Sequence, residues 1–311
     1  MTLDFKKINV PADVPREMRQ EFLKNYHCIT RGSGRLMLFA GDQKIEHLNE
    51  DFYGSGISED DGNPEHFFRV ADKAEIGVFG TQMGLISLYG EDYPNISYLV
   101  KLNSKTNLVK TEQSDPYSGM LYSVDQVARF RDVAGLNIPA VGYTIYTGSE
   151  YEAAMFSEGA RITHDAHKHG MVAVIWGYLR GKAVKDERDP HLIAGAAGIA
   201  CCLGADFVKV NYPKKEGVDL REAFKEVVQA AGRTKVVCTG GRSVDVRLFL
   251  ELLHDQIFIS GASGNATGRN IHQKSLRDAV KMCNAISAIT INGSSVAEAM
   301  EVYEGKKELK I

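Results

Sequence analysis

The chain has no excess of charge of either sign: 37 Lys and Arg stand against 40 Asp and Glu, a formal net charge of −3 over 311 residues. That balance supplies no overall basic field for nucleic acid or anionic lipid, although a local anion site remains open. Long apolar runs are missing too. The most apolar stretch, IAGAAGIACCLGA at 193–205, is rich in small residues and shorter than the roughly 20 residues that span a bilayer. The opening MTLDFKKINVPADVPREMRQEF is broken by charge every few residues and has no h-region, so no signal peptide is expected. Cysteine is scarce: Cys28, Cys201, Cys202, Cys238 and Cys283 form neither C-x-x-C pairs nor a zinc module, which fits a reduced, cytoplasmic setting. H-E-x-x-H, G-x-G-x-x-G and the P-loop signature are all absent, so no metal, dinucleotide or other cofactor is assigned.

What is present is alternation. Short apolar runs at 36–40, 76–80, 98–102, 140–145, 172–176, 207–211, 235–239 and 257–260 are separated by longer helical patterns. Eight such units predict successive βαβ connections and a parallel sheet, closed into a (β/α)8 barrel in preference to an open doubly wound sheet. Residues 1–34 read as an N-terminal extension with a helix near Pro15 to Asn25, and 35–311 as the barrel with a C-terminal helical tail. Ser149 with Glu152 suggests a capping box, Asp189-Pro190 an N-cap and first helical position, and Gly204 a left-handed helix end. The acidic, glycine-rich segment 49–63 is expected as a long loop at the catalytic end of the barrel, where it either covers substrate or is merely solvated.

Strand alternation then sorts the polar residues. If Phe207, Lys209 and Asn211 face the barrel interior, the Lys209 ammonium is desolvated and its pKa falls, which leaves a nucleophilic amine able to form an iminium with a carbonyl; a strand-end lysine in water is the plainer alternative. Trp176 and Tyr178 share the inward phase on the neighbouring strand, so the phenol could exchange protons at that amine. After strand one, Asp42 could act on a substrate hydroxyl and His47 on an oxygen or phosphate, or the pair could be a turn cap and a surface histidine. The turns GGRSVDVR (240–247) and GASGNATGRN (261–270) offer Gly240, Gly241, Ser243, Gly261, Gly268 and the forked Arg269 as an anion cradle of the kind found after barrel strands seven and eight. His164, His167 and His169 are read as a solvated helix end, because the third does not share the face of the first two.

GADFVKVNYP at 204–213, VIWGYLRG at 174–181, D-x-x-I-E-H after strand one and G-x-x-x-G-R-N near the end occur together in the order found in one family. The chain resembles the archaeal-type class I fructose-bisphosphate aldolases (DhnA/FbaB, within the DeoC/FbaB superfamily) over most of 35–285. The resemblance implies a metal-free barrel in which Lys209 forms a Schiff base, Tyr178 transfers protons, Asp42 and His47 contact hydroxyl and phosphate, Trp176 shapes the pocket, and the glycine turns with Arg269 hold a phosphate. It also implies a homo-oligomer, as large as a decamer, acting on a phosphorylated sugar in glycolysis and gluconeogenesis. Two departures border the expected cavity: DQK with Lys44 where many relatives carry D-H-G or D-Q-G, and GGRS in place of G-G-P-K. A lysine-dependent aldolase, transaldolase or acyltransferase acting on another phosphorylated ketose or dione stays open, as does a sugar-phosphate-binding barrel without catalysis.

Overall fold

The computed structural model describes residues 8–108 and 115–311; the first seven residues of the expected extension lie outside it. Eight parallel strands pair in sequence order and close into a barrel, β8 returning to β1. They are β1 Leu36–Ala40, β2 Val78–Thr81, β3 Tyr98–Lys101, β4 Ala140–Thr147, β5 Val172–Leu179, β6 Phe207–Val210, β7 Lys235–Thr239 and β8 Gly264–Thr267. Alternate residues split the core into two layers. Inside lie Leu38, Val78, Leu99, Val174, Trp176, Phe207, Val237 and Ala266; the opposite faces pack on the helices through Phe39, Phe79, Val141, Ile175 and Val208.

Residues 16–29 form a short 3-10 turn and the helix Arg19–Ile29. Its Phe22, Tyr26 and Ile29 join the inner layer, and Tyr26 stacks on Phe207 with ring centres 5.5 Å apart. The extension is therefore the floor of the barrel, closing the end opposite the strand C-termini.

Seven strands fall where the apolar runs predict them, and the eighth does not. Residues 257–260 are not a strand: the helix Val246–Phe258 takes the first two residues of IFIS and Ile259 is its C-cap; the helix is started by Asp245, whose carboxylate accepts the Leu248 N–H at 3.1 Å. Phe249, Leu250, Leu253 and Ile257 are buried at helical spacing, so that apolar run is the end and C-cap of an amphipathic helix. The true β8, Gly-Asn-Ala-Thr, carries polar side chains that satisfy each other locally: Asn265 donates to Thr290 at 2.7 Å and Thr267 to Asn265 at 2.9 Å.

The Ser149–Glu152 capping box does not form. Ser149 donates to the Pro116 carbonyl and the Glu152 carboxylate accepts the Gly148 N–H, while Tyr151 occupies the N-cap. Asp189 does cap Pro190–Cys202, and Gly204 follows with φ +86°. His167 is not solvated: it is buried between Asp13 at 2.8 Å and Asp206 at 3.2 Å, tying the N-terminal segment to the barrel floor. No three metal-ligating side chains converge among the described residues, and no helix among them is long and apolar enough to cross a membrane.

Candidate active site

The site is set by register at the C-terminal mouth. Lys209 is the cross-strand partner of Trp176, so both point inward and the Lys209 amine lies 5.0 Å from the Trp176 ring centre. That ring has room only because residue 142 on β4 is glycine: a Cβ there would sit 2.3 Å from Trp176 Cζ3. Lys209 is 4% exposed, and its amine makes no hydrogen bond or ion pair among the described residues. Burial pushes its pKa below the ordinary lysine value, against the opposing pull of Asp42 and Glu46.

Asp42, two residues beyond β1, is 1% exposed, and neither carboxylate oxygen has a hydrogen-bond partner. Buried oxygens left unpaired are costly, so this carboxylate is set for a ligand hydroxyl, amine or water. The Trp176 indole N–H is unpartnered in the same way. Tyr178 stands two residues further up β5, partly exposed, beside Tyr146 of β4 in register. Burial, reinforced by the Asp42 and Glu46 charges, holds the Tyr178 phenol protonated, its pKa well above the usual tyrosine value. It is thus a proton donor at neutral pH.

Beyond β7 and β8 the glycine turns meet. Asn270 stitches them: its amide donates to the Gly240 and Arg242 carbonyls, each at 2.9 Å, and its oxygen accepts the Val244 N–H at 3.0 Å. A Cβ at Gly240 would strike Thr267 at 2.8 Å, and Gly241 has φ +68°, so both positions require glycine. Arg269 keeps its Nε unpartnered while Nη1 lies 3.8 Å from Asp51, the carboxylate that also binds His47 at 2.6 Å. His47 and Arg269 therefore border one acidic residue of the loop after β1. Burial, and next the Arg269 charge, lowers the His47 pKa.

The matching family model is the DeoC/LacD family aldolase, over residues 36–274. The chain belongs to that family. A relative from Methanocaldococcus jannaschii named fructose-bisphosphate aldolase/6-deoxy-5-ketofructose 1-phosphate synthase is 57% identical over 303 residues, covering 97% of this chain and 96% of its own. A class 1 fructose-bisphosphate aldolase from Thermoproteus tenax is 34% identical, over 86% of this chain and 94% of its own. Among solved structures, a fructose-bisphosphate aldolase from Slackia heliotrinireducens superposes with TM-score 0.97 at 52% identity, covering 100% of this chain and 98% of that one. An archaeal fructose-1,6-bisphosphate aldolase, solved with its catalytic lysine bound to the carbinolamine intermediate, has TM-score 0.73 at 32% identity, covering 87% of this chain and 99% of that one.

Within this aldolase barrel Lys209, Tyr178, Trp176 and Asp42 gather at the mouth, with His47, Gly240, Gly241, Gly268 and Arg269 at its rim. Ser243 lies on an exposed turn of the same rim. Gly261 is not there. It precedes β8, at the floor end, where its φ of +85° serves the turn out of Val246–Phe258; only a strand at 257–260 would bring it to the cradle. Lys44 also points away from the cavity: it donates to the Asp61 and Gly62 carbonyls at 3.0 and 3.1 Å and lies 3.8 Å from the Phe52 ring centre, pinning the 49–63 loop. That loop is anchored again where the Asp61 carboxylate meets His272 at 2.8 Å.

Three contributors carry no role in the sequence reading, although Gln43 and Glu46 lie within its motif after β1. Lys101 ends β3 in the inward phase, fully buried, 2.5 Å from Glu46 and 3.7 Å from Asp42. Glu46 sits in the turn after β1 and reaches β3 through Lys101, with Ser104 beside it at 3.5 Å. Gln43 contacts His272 at 2.6 Å and lies over Gly268, where a Cβ would meet it at 2.5 Å.

Proposed function

We propose that the chain is a class I aldolase that reversibly cleaves fructose 1,6-bisphosphate to dihydroxyacetone phosphate and glyceraldehyde 3-phosphate through a Schiff base on Lys209. One observation carries this: a buried amine without a hydrogen-bond partner faces a buried carboxylate that also lacks one, over a tryptophan floor. The names of the relatives agree with it.

The uncharged Lys209 amine adds to the substrate carbonyl, giving a carbinolamine. Tyr178 supplies the proton on which the hydroxyl leaves as water, and the iminium then withdraws electrons from the adjacent bonds. Asp42 takes the proton from the hydroxyl on the far side of the scissile carbon–carbon bond. That bond breaks, the aldehyde departs, and an enamine remains on Lys209. The proton held by Asp42 passes to the Tyr178 phenolate and from it to the enamine carbon; water then adds to the iminium, returns a proton to Tyr178, and the carbinolamine collapses to dihydroxyacetone phosphate and the free amine. Gly240, Gly241, Ser243, Gly268 and Arg269, with His47, hold one phosphate. The second meets Lys105 and Arg180, whose mutual repulsion adds to the effect of burial in lowering the Lys105 pKa.

A second use of the same enamine is attack on a different aldehyde, and the second activity in the name of the 57% identical relative favours it. A cytoplasmic homo-oligomer serving glycolysis and gluconeogenesis belongs to the same reading and rests on the family resemblance.

The test is borohydride reduction during turnover with fructose 1,6-bisphosphate, followed by peptide mass spectrometry. The expected adduct sits on Lys209, is absent from Lys209→Met, and forms equally in EDTA. An adduct on another lysine, or none, refutes the assignment.

A further inference from the structure

Two lysines, not one, are buried over the Trp176 ring. The Lys101 nitrogen lies 5.2 Å from its centre and the Lys209 nitrogen 5.0 Å. They are not equivalent. Lys101 is saturated: Glu46 at 2.5 Å, the Asn103 carbonyl at 3.0 Å, Asp42 at 3.7 Å. Lys209 has none of these contacts. An amine engaged on three sides is not presented for attack, so Lys101 is not a second nucleophile. Its contacts tie it to Glu46 and the turn after β1.

The charged and titratable groups around Lys209 come from every side of the mouth: Asp42 and Glu46 after β1, Lys101 on β3, Tyr146 and Tyr178 on β4 and β5, and Arg269 after β8. Two carboxylates facing one lysine would hold it as an ammonium, which cannot attack a carbonyl. The Lys101–Glu46 pair is neutral in sum, wherever the shared proton sits, and Asp42 is left as the carboxylate facing Lys209. We propose that Lys101 is a positioning residue that cancels Glu46, so that Lys209 enters the reaction as an uncharged amine and the iminium it becomes is balanced by Asp42 alone. Iminium formation takes up one proton, adding one positive charge to the pocket, and a single uncompensated carboxylate matches that change. Glu46 has a reason to be there as well: Gln82 and Ser104 bond to each other and to the Asp42 backbone and the Glu46 carboxylate, so the pair fixes the turn that presents Asp42.

This inference rests on the Schiff-base reading, and the experiment separates the two. The acid limb of kcat/KM against pH, which reports the free enzyme, is measured for wild type, Lys101→Met, Glu46→Gln and the double variant, with borohydride trapping at each pH. At an effective dielectric of about 20, one charge roughly 10 Å away shifts a neighbour by about one pH unit. Lys101→Met leaves Glu46 uncompensated and is expected to move the limb up by about one unit. Glu46→Gln leaves Lys101 uncompensated and is expected to move it down. The double variant restores the balance and is expected to return the limb to within a few tenths of a unit of wild type. A merely structural role predicts lower activity at all pH values, an unmoved limb, and no rescue in the double variant; that result overturns the proposal. Should Lys101→Met fail to fold, the downward shift in Glu46→Gln and its return in the double variant decide the matter. Wild type trapped on Lys209 with unmoved limbs removes this proposal alone, whereas no adduct on Lys209 removes the Schiff-base reading and this proposal with it.

Discussion

Replacing Lys209 with methionine retains an unbranched stem against Trp176 and Phe207 and deletes only the amine. In a scaffold whose purpose at that position is chemistry, the variant is expected to lose turnover and gain stability. Lys209 is 4% exposed and its amine has no hydrogen-bond partner among the described residues, and an unpaired buried polar group costs about 1–3 kcal/mol. Since Lys209 is not fully buried, the lower end applies, about 1 kcal/mol. With an unfolding entropy of about 2.1 cal/mol/K per residue, that raises the melting midpoint by about 2 °C.

The pH dependence supplies the sharper test. Burial lowers the folded-state pKa of Lys209 below 10.5, so between those two values the unfolded chain holds more protons than the folded one. Wild-type stability therefore falls as pH drops from 10.5, and the penalty levels off below the folded pKa. The methionine variant has no such dependence at this position. Its advantage over wild type should be smallest at pH 10 and largest near pH 6, measured by urea unfolding at several pH values alongside turnover. A variant less stable than wild type throughout that range, or one that still turns over, refutes the placement of an uncharged amine here.

Gly142→Ala would place a methyl 2.3 Å from Trp176 Cζ3 and 2.8 Å from Leu99 Cδ2; overpacking of this kind costs about 1–3 kcal/mol. Because the chain has one tryptophan, its fluorescence reads the tilt of the floor directly, and kcat is expected to fall with it; unchanged emission and kcat would contradict the packing. Arg269→Lys removes the forked donor from the rim, with an expected rise in KM of about tenfold while trapping on Lys209 persists. Gly261→Ala, strained at φ +85°, should lower stability by about 1 kcal/mol yet leave KM unchanged; a raised KM would return Gly261 to the phosphate site. Asp13→Asn weakens the floor. Burial alone would lower the His167 pKa, but its bonds to Asp206 and Asp13 win and raise it. The imidazolium's contribution is thus full below pH 6.5 and lost as pH rises through the folded value, so the variant should cost about 1 kcal/mol at pH 6 and less at pH 9. An equal loss at both would show that the contact is not ionic.

How much of this was legible in the sequence follows from which physical signal each feature leaves. Strands buried on both faces leave a continuous apolar run, and β1 and β7 are bounded as their runs predict. Strict alternation in such a strand fixes which residues face inward, so Lys209, Trp176 and Tyr178 could be placed together before any coordinates. The same alternation places Lys101 inward on β3, two residues after Leu99; what the sequence does not carry is its partner, because Glu46 reaches it only through the turn after β1. Asn270 lay within a recognised motif, but its role as the stitch between two turns depends on β7 and β8 being neighbours.

The eighth strand shows why a hydrophobic reading fails where it does. Gly-Asn-Ala-Thr has a single apolar side chain, Ala266, and that is all the closed barrel requires of it, since β1 and β7 supply the hydrogen bonds on either side. A Cβ at Gly264 would lie 2.0 Å from the Leu36 carbonyl oxygen, so the strand begins with the residue that lets β1 approach, and its polar side chains are paid for by bonds to Thr290 and to each other. Such a strand is specified by its neighbours rather than by its own propensity, while the apolar IFIS beside it is claimed by a helix with a better use for it. Shifting the strand by seven residues moves the whole glycine turn after it: Gly261 goes to the floor, and Gly268 and Arg269 stay at the mouth. The proposed phosphate rim therefore loses Gly261 and keeps Gly240, Gly241, Ser243, Gly268 and Arg269 with His47, and Asn270 and Gln43 brace its turns.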